Sequence, residues 1–111
     1  MIISYQDFSN VDIRLGTVVK AEHLKKARNP SFKVWVDFGP ELGTLQTSAQ
    51  ITVHYTPETL IGRKVLGCVN LGEKNIAGFM SQFLLLGFSD AEGAIFLATA
   101  DGTAANGQKL H

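Results

Sequence analysis

The side chains able to act as nucleophile, base or metal ligand are few and scattered. Cys68 is the sole thiol, and His23, His54 and His111 lie too far apart for the short ligand spacings of a zinc site. Cys68 sits inside the apolar run 65–69, a setting that suits a buried structural cysteine. Gly39, Gly43, Gly62 and Gly67 match neither a phosphate-cradling Walker loop nor a dinucleotide fingerprint. Neither a nucleophile beside a base nor a convergent set of acids is recognisable, so no catalysis, metal or cofactor is expected.

Binding chemistry is better represented. The chain is neutral, with 10 Lys plus Arg against 10 Asp plus Glu. Its charge is nevertheless polarised: Arg14, Lys20, Lys25, Lys26, Arg28 and Lys33 cluster against Glu22 alone, whereas Asp90, Glu92 and Asp101 face only Lys109 near the end. Basic side chains give affinity for phosphates by releasing condensed counterions, and aromatic rings give stacking platforms for bases. Lys25, Lys26 and Arg28 fall in an expected loop, beside a strand that carries Lys33 and Trp35 on one face. A solvated loop would explain the same charges.

Several short elements must position these groups. Ser4 followed by Asp7 signals a helix of about one turn. Residues 13–24 read as a long strand, with a bulge or bend expected at Gly16. Between 32 and 38 the apolar residues Phe32, Val34, Val36 and Phe38 alternate with Lys33, Trp35 and Asp37, which assigns the first set to the core. Residues 39–43 read as a turn and 44–48 as a strand on which Gln46 and Ser48 project together. Thr56, Pro57 and Glu58 signal a helical turn that Gly62 ends, and residues 65–69, 83–88 and 95–98 read as strands, with 101–107 as loop.

The hydrophobic share is 45% and the charged share 18%, values of a folded chain, and its 111 residues are expected to form one domain, 1–111. A single cysteine and the lack of any apolar run of about 18 residues point to a reducing, cytoplasmic setting without membrane insertion. Five to six strands and a short central helix fit a partly open five-stranded barrel of the OB type. A β-sandwich or an SH3-like barrel fits the same counts.

Residues 70–86, NLGEKNIAGFMSQFLLL, resemble a signature of the tRNA-binding domain family, whose members are free-standing dimers or domains appended to aminoacyl-tRNA synthetases. Residues 11–18 (VDIRLGTV) and 55–65 (YTPETLIGRKV) extend the resemblance in the same order and spacing, over nearly the whole chain. The segments 37–39, 48–52 and 76–79 are most similar to a free-standing, secretion-related chaperone branch of that family. The resemblance implies a mainly β protein: a five-stranded OB-fold barrel with short helices and terminal extensions that pair two subunits into a homodimer. Met1, Ile2, Ile3, Tyr5 and Phe8 form an apolar amino-terminal patch suited to that pairing.

Carried over residue by residue, the family pattern implies RNA contacts from Asn70, Lys74, Ser81 and Gln82, with Lys25, Lys26, Arg28 and Lys33 reaching phosphates. Asn75 and Ala77 stand where strongly tRNA-binding members often carry Lys or Arg. In their place Phe79, Met80 and Phe83, together with Trp35, offer an apolar surface for polypeptide. The expectation is an ATP-independent, export-related chaperone that binds unfolded polypeptides or preproteins and also tRNA. The alternative is a trans-acting protein that recognises the shape of folded tRNA.

Overall fold

The computed structural model describes residues 1–111. Its first element, α1 (Tyr5–Ser9), starts with a reciprocal cap. The Ser4 hydroxyl accepts from the Asp7 N–H at 3.0 Å, and the Asp7 carboxylate accepts from the Ser4 N–H at 3.3 Å.

Strand β1 (Ile13–His23) is long enough to serve two partners. Its second half pairs antiparallel with β2 (Phe32–Asp37), and its first half with β4 (Lys64–Cys68). Beyond β2, the chain makes a helical turn, α2 (Gly39–Leu42), where a plain turn is expected, then returns as β3 (Thr44–Ala49) along the free edge of β2. The bulge does not fall at Gly16. Register slips between Val18 and Lys20 instead. Gly16 is small for a packing reason: a Cβ there would stand 2.4 Å from Val36 Cγ1 and 2.9 Å from Phe38 Cδ1.

Helix α3 (Pro57–Leu60) follows the Thr56 cap, whose hydroxyl accepts from the Thr59 N–H at 3.2 Å. It drives Leu60 into the barrel with no exposed surface. After β4 comes a hairpin absent from the sequence expectation, β5 (Lys74–Ile76) with β6 (Phe79–Ser81). The expected strand 83–88 is divided into β7 (Leu84–Leu85), on β4, and β8 (Gly87–Ser89), paired with β9 (Ile95–Leu97). It breaks because Leu86 changes partners: its N–H reaches the Leu66 carbonyl, while its own carbonyl accepts from Ala98.

The strand order β3-β2-β1-β4-β7 curls into a nearly closed antiparallel barrel. Its core joins Val18, Phe32, Val34, Val36, Phe38, Ile51, Tyr55, Leu60, Val65 and Phe83. The expected inward set of β2 is thus buried throughout. Side chains complete the seam between β3 and the strands that follow it. Gln82 Oε1 accepts from the Gln46 N–H at 3.0 Å, Ser81 Oγ from the Ser48 N–H at 3.0 Å, and Thr47 Oγ1 donates to the Phe83 carbonyl at 2.6 Å. Residues 107–110 lie along the start of β1, with Leu15 N–H on the Gln108 carbonyl and Leu110 N–H on that of Ile13. Arg14 fastens this tail, pairing with Asp12 at 2.6 Å and donating to the Gly107 carbonyl at 3.1 Å. No helix is long and apolar enough to cross a membrane.

Candidate nucleic-acid and polypeptide interface

Period-two alternation leaves one set of side chains on the outside of the barrel wall. Across β1, β2 and β3 these run in two rows: Lys20, Trp35 and Gln46 in the first, Glu22, Lys33 and Ser48 in the second. The β5–β6 hairpin folds over them. Gln46 Nε2 donates to the Met80 carbonyl at 2.9 Å, and Trp35 Nε1 donates to Gln46 Oε1 at 3.2 Å. Trp35 and Phe79 meet edge to face with ring centres 5.7 Å apart. Each ring also carries a lysine, Lys20 Nζ at 4.6 Å from the Trp35 centre and Lys33 Nζ at 5.4 Å from that of Phe79. Such contacts contribute about 0.5–1 kcal/mol at exposed sites.

The hairpin turns on Ala77 and Gly78, both with positive φ (52° and 82°), as a two-residue connection between right-twisted strands demands. Asn75 Oδ1 accepts from the Gly78 N–H at 2.9 Å and braces the turn. Its tip faces the β1–β2 loop, which Leu24 anchors by its buried side chain and a backbone bond to Ser31. Between tip and loop runs a groove of about 420 Å³, lined by Glu22, His23, Lys25, Lys26, Lys33 and Phe79 among others. Lys25, Lys26 and Lys33 supply its cations, Phe79 its aromatic edge and Glu22 its single carboxylate.

The expected site residues divide into two groups. Lys25, Lys26, Lys33 and Phe79 converge on the groove, with Trp35 half-buried behind Phe79. Arg28 is exposed on the same loop, Lys74 is exposed on β5, and Met80 is 39% exposed on the side of β6 turned away from the barrel.

Four others are placed differently from the sequence expectation. Phe83 is 5% exposed and packs edge to face on Phe38 at 4.9 Å, so it belongs to the core and presents no surface to a peptide. Ser81, 9% exposed, spends its hydroxyl on β3, and Gln82 spends its carbonyl oxygen there too. Asn70 ties loop backbone, accepting from the Asp12 N–H at 3.0 Å and donating to the Asn10 carbonyl at 2.7 Å. For the three polar residues the physical reason is shared: edges and loop ends of a small barrel leave backbone groups that polar side chains satisfy. Conversely, Lys20, Glu22, His23 and Gln46 stand at the interface without having been assigned to the site. For Lys20 and Glu22 the available signal was parity with Lys33 and Trp35 across β1 and β2.

Outside the groove, His54 Nε2 donates to Asp90 at 2.7 Å while its ring stacks on Phe96 at 3.9 Å. The bond from His54, with two backbone N–H groups behind it, holds the Asp90 carboxyl below its ordinary value. No three His, Cys, Asp or Glu side chains converge as a metal cage requires.

Residues 13–109 match the model of a family described as "Putative tRNA binding domain". The chain belongs to the tRNA-binding domain family. It is 40% identical over 108 residues to a methionine–tRNA ligase of Chlorobium chlorochromatii, 97% of this chain but 15% of that enzyme. The chain therefore spans about a seventh of the curated relatives it matches. Two solved structures cover it almost completely. The chaperone CsaA of Bacillus anthracis superposes with a TM-score of 0.93 at 41% identity, over 100% of both chains. The CsaA chaperone protein of Picrophilus torridus gives 0.92 at 38% identity, over 99% of this chain and 100% of that one. The family likeness carried by residues 11–18, 55–65 and 70–86 and the OB-type barrel it implies are thus both found.

Proposed function

We propose that residues 1–111 act as a single binding domain, a CsaA-like homodimer that holds unfolded polypeptides or preproteins before export without ATP, and that also binds tRNA. One observation carries this reading: Phe79, backed by Trp35, shares one groove with Lys25, Lys26 and Lys33. Aromatic edges and the adaptable Met80 take apolar side chains of varied sequence. The lysines take phosphates and fix position without reading sequence. Met1, Ile2, Ile3, Tyr5 and Phe8 stay exposed on the single subunit, which supports pairing through the amino terminus. A tRNA-binding family and a barrel without a spanning helix are in keeping with the cytoplasm as the place of action.

The alternative, a trans-acting tRNA-binding protein, draws on a specific feature. The groove holds three lysines to one acid, and burial of Phe83 narrows the apolar surface. A single titration series tests both readings. Labelled bulk tRNA is titrated by anisotropy at about 50 and about 200 mM salt, and suppression of aggregation of an unfolded client is measured on the same preparation. Salt-sensitive tRNA binding with client protection fits the double role. Binding without protection leaves the tRNA reading alone, and protection without tRNA binding leaves only the chaperone. A sedimentation mass near 12.0 kDa at micromolar concentration would exclude the dimer.

A further inference from the structure

The stretch from Arg14 to Lys33 holds six bases and one acid, and that acid is not at its margin. Glu22 lies in the groove itself, directly across the β1–β2 ladder from Lys33, among Lys25, Lys26 and Phe79. Its Oε2 stands 3.4 Å from Lys20 Nζ, the ammonium that covers Trp35.

Stability does not account for this carboxylate. Its side chain is 49% exposed and that of Lys20 58% exposed, and an ion pair so open to water adds little to folding. Electrostatics gives it two effects on any anionic ligand. It opposes a phosphate that approaches Lys25, Lys26 and Lys33, and it engages Lys20, which would otherwise be the fourth free cation of the face. An uncharged apolar ligand resting on Phe79 meets neither effect.

We propose that Glu22 is a specificity-determining residue of the groove, one that rejects anions and holds RNA affinity down. The proposal rests on the reading that RNA phosphates enter this groove. The hairpin tip agrees with it, since Ala77 and Gly78 contribute no charge to the opposite wall.

The test compares tRNA anisotropy titrations of the wild-type protein with Glu22→Gln, Glu22→Lys, Asp101→Asn and the combined Lys25→Ala, Lys26→Ala, Arg28→Ala variant. Circular dichroism melts confirm that each is folded. Asp101 controls for net charge, since it is exposed and does not line the groove. Glu22→Gln is expected to tighten tRNA binding about three- to eightfold at about 50 mM salt, with a smaller gain at about 200 mM. Glu22→Lys should tighten it further and steepen the log–log salt slope by about one unit. Asp101→Asn should stay within about twofold of the wild type.

Three results would overturn the proposal. If the triple variant loses affinity while Glu22→Gln stays within about twofold of wild type, RNA uses the basic loop and Glu22 has no such role. Equal gains from Glu22→Gln and Asp101→Asn would assign the effect to net charge alone. Failure of the wild type and both Glu22 variants to bind tRNA would remove the RNA reading and this inference with it.

Discussion

Trp35 and Phe79 meet at 5.7 Å and nearly at right angles, although one belongs to the barrel wall and the other to the hairpin that crosses it. The contact both fastens the hairpin and presents an aromatic edge to the groove. Replacing Phe79 by Ser removes an edge-to-face pair worth about 0.5–1.5 kcal/mol beyond its area burial. The barrel should survive, because Phe79 lies outside the core. Client protection should fall sharply, while salt-dependent tRNA binding should decline only modestly. Unchanged client protection in a folded variant would move the peptide site elsewhere.

The turn of the hairpin stores strain. Ala77 has φ 52°, a conformation that costs a residue with a Cβ about 1 kcal/mol, and that Asn adopts more readily. Ala77→Asn should therefore stabilise the fold by about 0.5–1 kcal/mol, or about 2–6 °C in melting temperature. Differential scanning calorimetry reads this directly. A lowered melting temperature would show that the left-handed turn does not limit the hairpin.

Gly16 makes the opposite case. A methyl group there meets Val36, Phe38 and the Asp37 carbonyl at 2.4, 2.9 and 3.0 Å, all in the packed wall. Overpacking of this kind costs about 1–3 kcal/mol. Urea unfolding of Gly16→Ala should show an unfolding free energy lowered by that amount, through a lower midpoint with an unchanged slope.

The Asp90 carboxyl has its value depressed chiefly by the hydrogen bond from His54, with help from the Glu92 and Ala94 N–H groups. A group depressed in the folded state stabilises it above its unfolded value, here 3.8, and ceases to as pH falls through the folded value. Stability should thus decline below about pH 4, and Asp90→Asn should flatten that limb of the profile. Parallel acid limbs in both proteins would show that other carboxylates govern it.

How much was legible depended on whether a residue's partner lay nearby in sequence. Ser4 with Asp7 and Thr56 with Thr59 act within one turn, so their caps follow from local spacing. The run from Phe32 to Phe38 reveals its own inward face, and all four apolar members are buried. The hairpin stayed hidden because Ala77-Gly78 lacks the Asn-Gly or Asp-Gly pair that usually marks such a turn. Without it, the alternation that sends Phe79 and Ser81 toward the wall and Met80 away from it has no starting point. Phe83 and Asn70 depend on partners at long range, Phe38 and Asn10, which no local pattern reveals.

The seam along β3 has a further consequence. A strand at the rim of a sheet offers bare N–H and C=O groups, a ready template for another extended chain. Here Gln82 and Ser81 occupy the Gln46 and Ser48 amides with side-chain oxygens, and Gln82 donates its own N–H to the Gln46 carbonyl. Those side chains act as blocking groups against templated aggregation. They deny an added strand the ladder on which it would grow.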